Sequence, residues 1–134
     1  DWAESKMTPH GTGVRRFQPA AIALAAGATF VARGYSGDPK GLTRMMVEAI
    51  THPGFSFLHV LSPCVTFRPD QRSWKSQVHP FAAGPFDEPV EAARQIHADD
   101  GLGLGVLFSE RLPVWPPVQE PLGSLPELER EFLI

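Results

Sequence analysis

Two β-rich runs joined through a capped helical segment constrain this chain more than any other feature. The first, Thr29-Phe30-Val31-Ala32-Arg33, ends at Gly34, and the second runs nearly without a polar break from Phe55 to Leu61. A continuous apolar run of that length reads as a strand covered on both faces. Between the two, Asp38 is a good N-cap, Pro39 suits the first helical position, and Leu42, Met45, Met46, Ala49 and Ile50 form one apolar stripe. On that periodicity Met45 and Met46 belong to the core, and His52-Pro53-Gly54 ends the helix. Strands separated by a helix of this length predict a right-handed βαβ crossover, hence an α/β fold with a parallel sheet.

The flanks are read from the same rules. Residues 1–17 are irregular, with a turn-rich loop from Thr8 to Gly13, and the small residues from Gln18 to Ala26 predict a helix apolar on all sides and therefore buried. Gly27 stops it, because glycine accepts the left-handed conformation at a helix end. Asp87-Glu88-Pro89 opens a helix reaching about His97, and Leu104 to Phe108 reads as a last strand. Prolines from Pro113 onward rule out a regular helix or central strand, so 113–123 is expected to run extended over another surface. Ser124 and Glu127 stand at capping-box spacing before a short terminal helix. The division is then residues 1–110 as an α/β unit and 111–134 as a proline-rich tail.

Composition excludes some functions. A net charge of −3 lacks the basic excess that a phosphate-binding surface needs, so nucleic acid is not expected. No apolar run approaches the ~18 residues of a membrane span. A single cysteine leaves no internal disulfide and no call for an oxidising compartment, so the expected location is cytoplasmic. The polar opening from Asp1 to Lys6 resembles a loop, as though the numbered chain began inside a longer polypeptide. None of the five histidines has a partner at metal-binding spacing. Gly101-Leu102-Gly103-Leu104-Gly105 imitates part of a dinucleotide fingerprint but precedes a strand, where that motif must follow one.

Cys64 lies three residues beyond Leu61, past Ser62-Pro63, where an open parallel sheet binds ligands outside the carboxyl ends of its strands. A thiolate there can ligate a soft metal or act as a nucleophile. Equally, free cysteine is often just a small buried hydrophobe. One cysteine cannot build a four-sulfur site, so any cluster needs further ligands from outside these residues.

Three stretches carry a resemblance. They are Ala23 to Gly34 (ALAAGATFVARG), His52-Pro53-Gly54-Phe55, and Val60-Leu61-Ser62-Pro63-Cys64-Val65-Thr66-Phe67. In order and spacing they resemble the β subunit of 2-oxoacid:ferredoxin oxidoreductases, especially the 2-oxoglutarate type, and the likeness fades toward the tail. The resemblance implies the C-terminal portion of a thiamine diphosphate-binding domain, with Mg²⁺ and a four-iron, four-sulfur (4Fe-4S) cluster as cofactors. It implies Cys64 as a ligand of that cluster. The family's Cys-x-x-Cys pair and Gly-Asp-Gly diphosphate–Mg²⁺ motif do not occur in this chain, so most cofactor ligands lie outside it. The implied reaction is coenzyme A-dependent oxidative decarboxylation of a 2-oxoacid, with electrons passing to ferredoxin. The implied assembly is a hetero-oligomer with an α subunit.

Two further residues follow from the resemblance. Lys6, in Lys6-Met7-Thr8-Pro9-His10-Gly11, aligns with a Lys-x-Thr-Pro-Tyr-Gly stretch at the active-site entrance and is a candidate for pairing with an anionic group of coenzyme A or substrate. His10 stands where an aromatic residue is usual. Arg33, as the end of its strand, is a candidate cofactor or substrate contact at the same sheet edge, or else half of a structural ion pair. The alternative function is a non-catalytic interaction half-domain whose tail docks on partner subunits.

Overall fold

In the computed structural model, which describes residues 8–11, 13–14 and 17–113, the two β-runs lie side by side. Strand β1, Phe30–Tyr35, pairs in parallel with β2, Ser56–Leu61, in an unbroken register from Phe30 opposite Ser56 to Tyr35 opposite Leu61. Helix α2, Pro39–Thr51, makes the crossover. Its first turn is closed by the Asp38 carboxylate, which accepts from the Gly41 backbone N–H at 3.1 Å. The helix seats on β1 where Gly34 has no side chain: a Cβ there would lie 2.7 Å from Leu42 Cδ1.

The expected apolar stripe of α2 is only partly used. Leu42, Met45 and Ala49 are half-buried, whereas Met46 and Ile50 are exposed, Ile50 to 82%. Met46 is therefore not a core residue in this structure. The reason is position: α2 covers the β1–β2 margin, and β2 is an edge strand with β1 as its single neighbour among the described residues. For the same reason β2 is half-buried with only Leu61 fully inside, and β1 is the strand that is buried throughout. The long apolar run thus marks an edge strand here.

On its other side β1 pairs with β4, Gly103–Ser109, which runs antiparallel. Val31 faces Phe108 and Ala32 faces Val106, so Leu107 is an extra residue in the ladder, a bulge that bends the strand. Leu107 and Phe108 are each 1% exposed and form the centre of the core with Val31. The short strand β3, His79–Pro80, pairs in parallel with β4, giving the order β2-β1-β4-β3. The sheet is thus mixed, its two parallel pairs meeting at an antiparallel junction.

Two helices close this face of the sheet. Helix α1, Pro19–Ala25, presents Ala20 and Ala23 to Ala92 and Ile96 of α4, Pro89–Ala98, in one core with Val31, Leu107 and Phe108. Small residues allow the close approach, and Gly27, at φ 86°, turns the chain out of α1 toward β1. The expectation that α1 is buried all round does not hold, since Ile22 is 53% exposed on the side away from this core. A short 3₁₀ turn, Pro69–Ser73, leads into α3, Trp74–Gln77. Among the described residues no helix is long and apolar enough to cross a membrane. Lys6, the Arg15-Arg16 pair within the irregular 1–17 segment, nearly all of the extended 113–123 run and the helix opened by Ser124 lie outside the described residues.

The core assignment predicts unequal costs. Leu107→Ala should lower unfolding free energy by about 2–5 kcal/mol, and Asp38→Ala by about 1 kcal/mol. Urea unfolding of the two variants checks this order; an equal or reversed ranking contradicts it.

Candidate functional site

The end of β2 delivers Cys64 to the surface. After Leu61 the chain leaves the sheet through Ser62-Pro63, and the residue before a proline is held extended, so the backbone cannot turn back at once. Cys64 is then fixed through its backbone on both sides: its N–H donates to Gln71 Oε1 at 2.7 Å, and its carbonyl accepts from the Arg68 N–H at 2.8 Å. The side chain is exposed and in no disulfide. This disposes of the small-buried-hydrophobe reading. What remains is an accessible thiol on an anchored turn, beside exposed Val65 and Phe67, at the carboxyl end of a strand.

Arg33 occupies a different environment from the one its place in the sequence suggests. The strand runs on to Tyr35, so Arg33 lies inside β1 rather than at its end, and it is only 7% exposed. Its Nη1 donates to Asp99 Oδ2 at 2.5 Å and to the Gly103 carbonyl at 3.2 Å, and the guanidinium lies 5.3 Å from the Phe81 ring centroid. Asp99 in turn accepts from the backbone N–H groups of Gly101, at 2.8 Å, and Gly103, at 3.2 Å. A carboxylate surrounded by one guanidinium and two amide donors is fully engaged, which is what a buried charge requires. The ion-pair alternative for Arg33 is the one the geometry displays.

A cavity of about 310 Å³ opens against this pair. It lies between the start of α1, the middle of β1 and β2, Trp74 of α3, and the turn from Ile96 to Leu102. His59 of β2 stands opposite Arg33 in the parallel register. Burial, and then the neighbouring Arg33 guanidinium, hold its imidazole below the usual histidine value, so it is neutral beside that charge.

His79, Asp99 and Asp100 also come together, with ligand atoms within 4.8 Å of one another, a juxtaposition that sequence spacing does not reveal. Here Asp99 is committed to Arg33, and His79 Nε2 contacts Asp100 Oδ1 at 3.2 Å while Nδ1 donates to the Pro80 carbonyl at 2.8 Å. All three side chains are thus engaged in hydrogen bonds within the protein. Asp99, His59 and Gln71 are the residues that linear reading passed over. The turn signal Asp99-Asp100-Gly101 was the one visible hint.

Two outcomes follow. Arg33→Met leaves the Asp99 carboxylate buried without its cation and should destabilise the protein by about 3–5 kcal/mol; a loss under about 1 kcal/mol in urea unfolding contradicts the buried pair. Because His59 binds protons more weakly when folded, its contribution is intact above the unfolded value of 6.5 and is lost as pH falls below it. His79, drawn upward by the Pro80 carbonyl and Asp100, works in the opposite sense but is fully exposed and screened. The melting temperature should therefore fall as pH drops below 6.5, and His59→Phe should flatten that slope; an unchanged slope contradicts the assignment.

No protein-family model matches the chain. Several characterised proteins do. The chain is 31% identical over 102 residues to the 2-oxoacid:ferredoxin oxidoreductase subunit beta of Saccharolobus solfataricus, a match covering 72% of this chain and 33% of that protein. It is 39% identical over 64 residues to the 2-oxoglutarate synthase subunit KorB of Archaeoglobus fulgidus, covering 48% of this chain and 24% of the relative. Among solved structures, it superposes with a TM-score of 0.69 and 25% identity on a 2-oxoglutarate:ferredoxin oxidoreductase from Magnetococcus marinus, solved with 2-oxoglutarate, coenzyme A and succinyl-CoA bound. That match covers 81% of this chain and 38% of the other. The chain spans about a third of the length of the curated relatives it matches. It is a homologue of the β subunits of 2-oxoacid:ferredoxin oxidoreductases.

Proposed function

We propose that this chain is the part of a 2-oxoacid:ferredoxin oxidoreductase β subunit that supplies Cys64 to a 4Fe-4S cluster. The whole enzyme would decarboxylate a 2-oxoacid oxidatively, transfer the acyl group to coenzyme A and reduce ferredoxin. The names of the KorB relatives and the ligands of the Magnetococcus enzyme favour 2-oxoglutarate as the acid. The observation that carries the reading is the exposed thiol of Cys64 on its anchored turn beyond β2.

The residues present fit one corner of such a site. The Gln71 and Arg68 contacts fix the cysteine backbone, so the sulfur can be held at a set position without reorganising the turn. The single cysteine limits the chain to one sulfur ligand, and the rest come from outside it. A cluster held there would supply one-electron transfer toward ferredoxin, with Cys64 as one of its sulfur ligands. Thiamine diphosphate and Mg²⁺ belong to the same reading, but the Gly-Asp-Gly motif that would hold them is not in this chain, so none of its described residues is assigned to them.

Lys6 is proposed to pair with an anionic group of coenzyme A or the 2-oxoacid. Arg33, its charge already met by Asp99, is proposed to serve the cofactor side of the enzyme by shaping the cavity beside it. Exposed Met46, Val47, Ile50 and Phe55 around α2 favour a covered surface in an α–β hetero-oligomer, which keeps part of the interaction-domain alternative within this proposal. A cytoplasmic location goes with ferredoxin as the acceptor.

In the assembled enzyme, Cys64→Ser should abolish or strongly weaken the broad absorbance near ~400 nm, as expected for a 4Fe-4S centre, together with 2-oxoacid-dependent ferredoxin reduction. Retention of both contradicts the ligand role. Lys6→Ala should raise KM for coenzyme A or for the acid by roughly tenfold, the loss of about 1.4 kcal/mol of pairing; no change in either removes Lys6 from the site.

A further inference from the structure

We infer that Gln71 is a positioning residue for the Cys64 ligand: its carboxamide oxygen holds the cysteine's backbone, and its amino group donates to the iron-bound sulfur and raises the reduction potential there. This rests on the function proposed above, in which Cys64 is one ligand of a 4Fe-4S cluster.

The turn that carries Cys64 closes on itself through three hydrogen bonds. The Cys64 carbonyl accepts from the Arg68 N–H at 2.8 Å, and the Arg68 carbonyl accepts from the Gln71 N–H at 3.0 Å. Gln71 Oε1 then reaches back to accept from the Cys64 N–H at 2.7 Å. The first two are backbone bonds that almost any residue type supplies. The third needs a side-chain oxygen of that reach, and Gln71 is the one side chain among the described residues that bonds to Cys64. The Arg68 side chain is engaged elsewhere, on Asp70 at 3.0 and 2.9 Å. Ser73 Oγ donates to the Asp70 carbonyl at 2.7 Å, so the 3₁₀ turn that presents Gln71 is itself pinned.

This bond also fixes which way the carboxamide faces. A backbone N–H can only donate, so the atom it meets is the oxygen, and the amino group is the free end. That group carries two donors, and neither has a hydrogen-bond partner among the described residues. With the oxygen committed to the ligand's own backbone, the two donors are kept on the turn beside the sulfur. Sulfur bound to iron accepts N–H groups, and such bonds favour the more negative, reduced state. The turn offers little else of that kind: the Arg68 charge is met by Asp70, and Val65 and Phe67 are apolar. The rival is an amide whose donors serve water alone.

The test uses the assembled enzyme and Gln71→Met, which keeps the length of the side chain and removes its oxygen and its amino group. With glutamine carrying a heavy-nitrogen label in its side chain, pulsed EPR of the dithionite-reduced protein should show a nitrogen coupling that Gln71→Met lacks. The potential of that centre should fall by about tenfold in the reduction equilibrium, ~59 mV for a one-electron couple. In cluster-free protein, the Cys64 amide hydrogen should exchange about tenfold faster in Gln71→Met, the loss of one hydrogen bond of ordinary strength. If Gln71→Met retains no cluster, Gln71→Glu, which keeps the oxygen and so the turn, takes its place for the coupling. Absence of the coupling, or a potential equal to wild type, means that Gln71 only holds the turn and overturns the inference; unchanged amide exchange overturns it too. A cluster retained in Cys64→Ser removes the function proposed above, whereas a Cys64-dependent cluster without the coupling removes only this role of Gln71.

Discussion

The buried pair between Arg33 and Asp99 ties together parts of the chain that are 66 residues apart, and the candidate site depends on it. Arg33 sits in β1, which is buried along its whole length, where an unpaired guanidinium would be prohibitively desolvated. Asp99 meets that charge and also caps the backbone of the turn leading into β4 through Gly101 and Gly103. The pair therefore does two things. It neutralises a charge inside the sheet, and it sets where α4 ends and β4 begins, which in turn fixes the wall of the cavity. A hydrophobic pair could stabilise the core as well, but it would not specify the turn.

From that frame the chemistry divides between two places. The cavity beside α1 is half-open and largely apolar, with the Arg33–Asp99 pair in its wall. The turn after β2 is open and carries the one thiol. Both are reached from β2, through His59 and Leu61 on one side and through Cys64 three residues beyond its end. A pocket beside the strand and an accessible thiol on the turn beyond it are thus positioned by the same sheet.

Much of this was legible in the sequence. The βαβ unit followed from the Asp38–Pro39 helix start and the two apolar runs, and Gly27 marked the end of α1. Local signals suffice where the determinant is local. The readings that needed correction were long-range. Phe55 to Leu61 reads as an interior strand because pattern alone cannot tell an edge from a centre, and Ile50 and Met46 follow the stripe although no element covers them. Arg33 was recognisable as important, but its partner was not, because nothing in linear spacing links residue 33 to residue 99. The same holds for His59, whose neutrality comes from burial and from Arg33 across the ladder. Cys64 was the converse case: the residues around it pointed to a ligand, and the structure adds that its sulfur is accessible and its backbone held.

The central claim is that the Cys64 sulfur is bonded to iron in the assembled protein, and thiol alkylation followed by mass spectrometry tests it most directly. With its cluster intact, Cys64 should resist iodoacetamide despite its exposure on the turn, and should become fully alkylated once iron is removed by oxidation and chelation. Equal alkylation before and after iron removal would contradict the account.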